Sequence, residues 1–107
     1  MNRLTRKDLP LIKVMLQRKL TISDEEVPIH PRNKKVMNRY GISSKVVMRI
    51  INDVPIHTIR AVDRKGTKYV LSFAEYPFRT VKLLVELDMV VDRHGLDVEV
   101  ARINVKF

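Results

Sequence analysis

The stretch from Asn38 to Asp53 reads NRYGISSKVVMRIIND and places one glycine between two segments with helical patterns. With successive residues about 100° apart, the branched aliphatic residues after Gly41 fall on one arc of roughly 140°. That arc holds Val46, Val47, Ile50, Ile51 and Val54, and the other holds Ser44, Lys45, Met48, Arg49, Asn52 and Asp53. This division predicts a surface helix with one side in a core, capped by Ser43 and ended by Pro55.

Two further helices are predicted before this one. The first is expected over about residues 8–20, with Asp8 as its cap and Pro10 in its first turn. Its apolar residues at helical spacing are Leu9, Ile12, Leu16 and Leu20. Pro31 is expected to open a second helix that ends at Gly41. The segment between them, TISDEEVPIHPRN, predicts a loop with a short extended piece around residues 27–30.

The sequence after Pro55 predicts a hairpin, a helix and a strand. The runs VPIHTIRAV and GTKYVLSF flank the turn DRKG, which predicts a β-hairpin over about residues 56–73. Pro77 is expected to start a fourth helix that continues to about Val91. The alternating run LDVEVARINVKF predicts a final strand. The expected order is α-α-α-β-β-α-β, in a single α+β domain covering residues 1–107.

Positive charge is concentrated in the middle of the chain. The net charge is +9. Residues 30–71 hold ten lysines and arginines against two aspartates, a balance of +8, whereas residues 75–107 hold five basic and six acidic residues, a balance of −1. Such a segment indicates nucleic acid, an anionic membrane surface or an acidic protein as the partner. Because no run of about 18 apolar residues is present, we expect no membrane-spanning segment. Of the three partners we expect nucleic acid and not a membrane, and we expect a cytoplasmic protein.

Enzymatic patterns are missing from the sequence. It has no cysteine, which excludes a disulfide framework and a thiolate zinc site. The histidines His30, His57 and His94 are far apart in sequence, without carboxylates at metal-ligand spacing. No Gly-rich phosphate loop or serine nucleophile elbow occurs. We therefore expect no enzymatic activity, no cofactor, no bound metal and no small-molecule substrate.

Residues 36–53, VMNRYGISSKVVMRIIND, resemble the helix-turn-helix of bacterial and phage DNA-binding regulators, most closely the lac-repressor type. The shared features are Gly41 at the turn, Ile42 directly after it, Ser43 opening the second helix, and the run from Val47 to Asn52. The glycine permits a positive φ that sends the second helix across the first. A hairpin that follows such a helix takes the position of the wing in a winged helix-turn-helix, which is the fold we expect.

The resemblance implies a sequence-specific, duplex-DNA-binding transcriptional regulator that acts as a homodimer. It places residues 43–53 in the major groove. The expected base contacts come from Ser44, Lys45 and Arg49, with Met48 touching a thymine methyl. The expected contacts to the DNA backbone come from Ser43, Asn52, Lys34, Lys35 and Arg39, and from Arg64, Lys65 and Lys68 in the wing.

Other interpretations remain open at this point. Two helices around a glycine occur in many small α+β domains, and a basic hairpin tip is also typical of a solvated turn. The apolar segment at residues 77–91 fits a self-association surface or an ordinary buried helix equally well. Small size and basicity also fit an interaction or inhibitor protein, of the kind that phages and viruses encode, that docks on an acidic protein. RNA binding through the same surface is the third alternative, although three Phe and three Tyr offer few stacking partners for single strands.

Overall fold

The computed structural model describes residues 3–22, 29–92 and 98–107, which form three α-helices and a five-stranded antiparallel sheet. A 3-10 turn at Arg6–Asp8 precedes the helices α1 (Leu9–Ile22), α2 (Pro31–Arg39) and α3 (Ser44–Asp53). The strands are β1 (Ile56–Ala61), β2 (Lys68–Phe73), β3 (Tyr76–Phe78), β4 (Val81–Val91) and β5 (Val98–Lys106). The chain is therefore α+β, as predicted. No helix in the described ranges is long and apolar enough to cross a membrane.

The sheet is centred on β4. It pairs with both β2 and β5, so that Leu71, Leu87 and Ile103 lie in one row across the three strands. All three side chains are buried. β1 pairs with β2 as the predicted hairpin, and β3 pairs with the first residues of β4. The predicted hairpin over residues 56–73 is confirmed.

The three helices cover one face of the sheet. α1 contacts β5 and α3, α2 contacts β5, and α3 contacts β4. The core between the two layers contains alternate residues of β4 together with apolar side chains of α1 and α3. Each large aliphatic side chain buried there stabilises the fold by about 1.5–3 kcal/mol relative to exposure.

The predicted fourth helix is wrong, and with it the predicted order α-α-α-β-β-α-β. Residues 76–78 and 81–91 form β3 and β4. On β4 the buried residues Leu83, Val85, Leu87, Met89 and Val91 alternate with half-buried residues on the open face. Leu84 and Val90 lie on that second face together with Lys82, Glu86 and Asp88, and these two apolar residues mask the alternation of the strand. Because the odd-numbered residues lie in the core, no helical self-association surface exists at this segment.

Two β-bulges shift the alternation of the outer strands. Between Asp88 and Met89 the register with β5 slips, because Met89 pairs with Val100 while Asp88 pairs with Arg102. Ala101 is the extra residue, and it allows both Val98 and Ile103 to reach the core. A similar irregularity between Ile56 and Thr58 leaves His57 exposed in β1.

The start of the first helix differs from the prediction. Thr5, not Asp8, is the N-cap, and it caps the 3-10 turn. Thr5 N–H donates to Asp8 Oδ2 at 2.8 Å, and Lys7 N–H donates to Thr5 Oγ1 at 3.4 Å. Asp8 is therefore the N3 residue of a capping box, in which its side chain accepts from the backbone of Thr5, and it is not the N-cap.

The segment before α2 fixes that helix to the outer edge of β5. Ile29 forms a parallel bridge with Ile103, and His30 N–H donates to Ile103 O at 3.1 Å. One turn later, Asn33 Oδ1 accepts a hydrogen bond from Val105 N–H at 2.9 Å. The extended piece predicted around residues 27–30 is thus seen at Ile29 and His30, while residues 27 and 28 lie outside the described ranges, as do His94 and Leu96. α2 begins at Pro31, as predicted.

Candidate nucleic-acid interface

The connection between α2 and α3 is a fixed turn. Gly41 has φ +69°, in the left-handed region that glycine enters without a Cβ penalty. Ile42 N–H donates to Met37 O at 2.9 Å and Gly41 N–H donates to Asn38 O at 3.2 Å. These two bonds form a Schellman motif, and the buried side chains of Met37 and Ile42 provide its apolar contact. The predicted role of Gly41 in the turn is confirmed.

Arg79 packs against this turn from the sheet. A Cβ added at Gly41 would lie 3.0 Å from Arg79 Nη1, so the guanidinium occupies the space that a side chain would need. Arg79 stands between β3 and β4 with φ +54°, which is strained for an arginine. Its guanidinium carbon also lies 5.3 Å from the centre of the Phe78 ring. Sequence reasoning missed Arg79, because only the sheet brings it to the helices.

α3 presents a narrower exposed stripe than its sequence pattern predicts. Lys45, Arg49 and Asp53 are exposed along one line, as is Ser44 at the first turn, whereas Val47, Ile50 and Ile51 are buried. α1 covers one flank of α3, because Lys13 Nζ donates to Val54 O at 2.7 Å and Gln17 Nε2 donates to Asn52 O at 3.1 Å. Lys45 and Arg49 remain available to a partner, as predicted.

Two predicted contact residues lie on the covered flank. Met48 is half-buried against the core, and the Oδ1 atom of Asn52 is buried without a hydrogen-bond partner among the described residues. Neither side chain is as exposed as the sequence predicted, because Met48 packs against the core and Gln17 of α1 lies against Asn52. Ser43 is the N-cap of α3, but its side chain makes no capping hydrogen bond.

The outward side of α2 extends the positive surface. Its basic residues are all exposed: Arg32, Lys34, Lys35 and Arg39. Together with Lys45 and Arg49 they make six cations, none of which forms an ion pair with a carboxylate in the part of the chain that the structure describes. Between α2 and the start of α3 lies a cleft of about 190 Å³, where Lys34, Ser43 and Ser44 surround a floor of Ile29, Met37 and Ile42. The fold therefore brings together the predicted contact residues of α2 and the beginning of α3.

The hairpin tip, residues 63–68, is held by its own hydrogen bonds. Asp63 accepts hydrogen bonds from Thr67 Oγ1 at 2.5 Å, from Thr67 N–H at 3.0 Å and from Lys68 N–H at 3.1 Å. The bond from the Thr67 hydroxyl contributes most to lowering the pKa of the Asp63 carboxyl below its ordinary value. Tyr69 OH donates to Gly66 O at 2.7 Å and accepts from Leu4 N–H at 3.0 Å. Arg64, Lys65 and Lys68 are exposed on this tip.

The tip and the helix turn lie at opposite ends of β4. Arg79, next to the start of β4, contacts Gly41, while Val91 at its end donates a hydrogen bond to Thr67 O at 2.7 Å. Eleven residues of antiparallel strand span about 33 Å at roughly 3.3 Å per residue. This is most of the 42 Å long axis of the molecule. The hairpin tip is therefore remote from the turn between α2 and α3, and the predicted winged helix-turn-helix arrangement is not confirmed.

An exposed aromatic pair was also missed by the sequence reasoning. The rings of Tyr40 and Phe107 stack with centres 5.2 Å apart and an angle of 27° between their planes. They lie beside the C-terminal end of α2, and no short-range pattern connects residues so far apart in sequence. In the described ranges, no group of three or more His, Asp or Glu side chains is arranged to hold a metal.

Comparison of the chain with known proteins finds no matching family, no matching curated sequence and no matching solved structure.

Proposed function

We propose that this protein binds duplex DNA through the outward surfaces of α2 and α3. The observation that carries the proposal is the set of six exposed cations on two helices that a Schellman turn holds in a fixed relation. A surface of this kind attracts phosphates and releases their counterions, which gives affinity that falls steeply with salt. Transcriptional regulation by a homodimer is the accompanying proposal, and it depends on DNA binding.

The two helices have different roles in this proposal. Lys34, Lys35 and Arg39 of α2 neutralise phosphates and orient the protein on the duplex. The stripe of α3 enters the major groove, where Arg49 forms two hydrogen bonds with a guanine and Lys45 contacts a neighbouring base or phosphate. Because the stripe is one residue wide, few base pairs are read, and the sequence preference is modest.

The hairpin tip supplies a second, separate phosphate contact. Its distance from the helix turn, about 33 Å along β4, is close to one turn of B-form duplex at roughly 34–36 Å. Arg64, Lys65 and Lys68 therefore contact phosphates about one helical turn away from those contacted next to the helix turn. This replaces the adjacent-groove contact of a conventional wing.

Substitutions on α3 test the proposal. Arg49→Ala should weaken binding of a preferred duplex by roughly 1–3 kcal/mol and relax the preference at one base pair. Lys45→Ala should reduce affinity and flatten the dependence of affinity on salt. Fluorescence anisotropy with labelled duplexes, at two salt concentrations, measures both effects. The preferred sequence is first selected from a random duplex pool.

Matched controls remove the same charges from elsewhere on the protein. Lys82→Ala takes a lysine from the sheet face opposite the helices, and Arg60→Ala takes an exposed arginine from β1. Both variants should bind within about twofold of the wild type, because they lie outside the proposed interface. Equal losses in all four variants would show a general charge effect and contradict the assignment to α3. Failure of the wild type to bind any duplex would favour docking on an acidic protein.

A further inference from the structure

Tyr40 and Phe107 form an exposed aromatic platform at one end of the helix layer. Their side chains are 43% and 45% exposed, although each ring already covers part of the other. Exposed aromatic rings in contact with each other leave π-faces and ring edges available to a partner. Nucleobases stack on such faces irrespective of their sequence, because every base has a π-face.

Several contacts besides the rings hold α2 against β5. The Ile29–Ile103 bridge, the His30 N–H bond to Ile103 O and the bond from Val105 N–H to Asn33 already join these elements. The buried Met37 and Ile42 also fix the end of α2 to the core.

Basic residues adjoin the platform in the chain and at the helix turn. Arg39 directly precedes Tyr40 and is exposed on α2, and Arg79 lies against Gly41, the residue after Tyr40. Lys106 precedes Phe107 and forms an ion pair with Glu86 on the open sheet face. Arg39 and Arg79 are thus cations near Tyr40 that can contact the phosphates of a strand whose base rests on the rings.

We propose that Tyr40 and Phe107 stack against unpaired bases of the nucleic acid whose duplex portion lies on α2 and α3. The inference rests on the proposed function and deepens it, because it makes a junction between duplex and single strand the preferred substrate. A strand that leaves the duplex beside Arg39 passes directly onto the rings.

Binding to blunt and overhanging duplexes tests the platform. The probes are a duplex of about 20 base pairs, the same duplex with about four unpaired nucleotides at its 5′ or 3′ end, and a single strand of that overhang sequence. We expect the wild type to bind one of the overhanging duplexes about fivefold or more tightly than the blunt one, which is the lower end of what one stacked base contributes. A 2-aminopurine at the first unpaired position should lose fluorescence on binding.

Ring variants separate stacking from charge. Tyr40→Ala and Phe107→Ala should bind blunt and overhanging duplexes equally, without quenching, and should keep the wild-type affinity for the blunt duplex. Tyr40→Phe keeps the ring and should keep the preference. Val62→Ala removes another exposed apolar side chain, 51% exposed and on the hairpin at the far end, and should also leave the preference intact. Thermal melting of each variant verifies that it is folded.

The results distinguish the two proposals. If the wild type binds blunt and overhanging duplexes equally and no quenching occurs, the stacking platform is wrong while duplex binding stands. If no duplex binds, the proposed function is wrong. If 2-aminopurine in the single strand alone were then quenched by the wild type but not by the ring variants, stacking would still be supported.

Discussion

At the scale of single residues, Gly41 determines how α2 meets α3. Gly41→Ala places a Cβ at φ +69° and 3.0 Å from Arg79 Nη1. The left-handed conformation alone costs about 1–2 kcal/mol for a residue with a Cβ, and the contact with Arg79 adds to that cost. We expect a loss of unfolding free energy of at least roughly 1 kcal/mol, measured by urea denaturation.

Combining this substitution with Arg79→Ala separates its two causes. The double variant removes the contact with the guanidinium but retains the left-handed backbone. Gly41→Ala should therefore cost less in the Arg79→Ala background than in the wild type, while still remaining destabilising. Equal costs in both backgrounds would show that Arg79 does not occupy the space beside Gly41.

A second residue, Asp63, makes the stability of the hairpin tip depend on pH. The pKa of its carboxyl is lowered in the folded protein, first by the hydrogen bond from the Thr67 hydroxyl and also by backbone N–H groups. Its stabilising contribution is therefore complete above the unfolded pKa of about 3.9 and is lost as the pH falls through the lower folded value.

Asp63→Asn should lower the melting temperature above pH ~4, and the difference from the wild type should shrink as the pH is lowered further. Melting curves from pH ~2 to ~6 measure this difference. Thr67→Val removes the hydroxyl donor, so it should reduce the same pH-dependent difference. A difference that stays constant across this range would contradict the assignment.

Sequence reasoning at this scale was accurate where a residue's role depends on its neighbours in the chain. Gly41 as the turn residue, Pro31 as the start of α2 and Lys45 as an exposed cation all follow from local patterns. Met48 and Asn52 could not be placed in this way, because Met48 packs against the core and Asn52 contacts α1, which comes from a distant part of the sequence. Arg79 carries no local signal of its contact with Gly41.

At the scale of elements, the helices and the first hairpin were predictable, and β4 was not. Leu84 and Val90 lie on the open face of β4, half-buried among neighbouring side chains, and these two apolar residues conceal its alternation. In β5 the extra residue of the bulge changes the phase of the apolar positions between Val100 and Ile103. The bulge preserves the inward direction of Ile103 and Val105, both of which are buried.

Deletions within β5 test the role of this bulge. Deleting Ala101 removes the extra residue and leaves every other side chain on its present face, so the fold should persist with a small loss of stability. Deleting Asn104 instead turns Val105 outward and Lys106 inward, which removes a buried side chain worth about 1.5–3 kcal/mol. Urea denaturation should show a larger loss for the second deletion. Equal losses would mean that Ala101 is not the inserted residue.

At the scale of the whole molecule, sequence reasoning located the positive charge in the middle of the chain but not its arrangement in space. The residues of the hairpin and of the two helices are close in sequence, and a wing beside α3 was the simplest expectation. β4 separates them, because its two ends contact the helix turn and the tip respectively. One basic segment thus becomes two basic surfaces, one at the helix turn and one at the hairpin tip, in a molecule whose longest extent is 42 Å.

This separation makes the effect of Lys65 depend on the length of the DNA. On a duplex of about 20 base pairs, Lys65→Ala should weaken binding of all sequences about equally and reduce the salt slope by about 1, because it removes one phosphate contact. On a hairpin duplex of about seven base pairs, which is shorter than one helical turn of roughly 10 base pairs, the tip has no phosphate to reach. Lys65→Ala should then have no effect, whereas Lys45→Ala should weaken binding at both lengths. Anisotropy titrations at two salt concentrations compare the variants. If Lys65→Ala weakens binding of both duplexes equally, the tip lies beside α3 and the one-turn separation is contradicted.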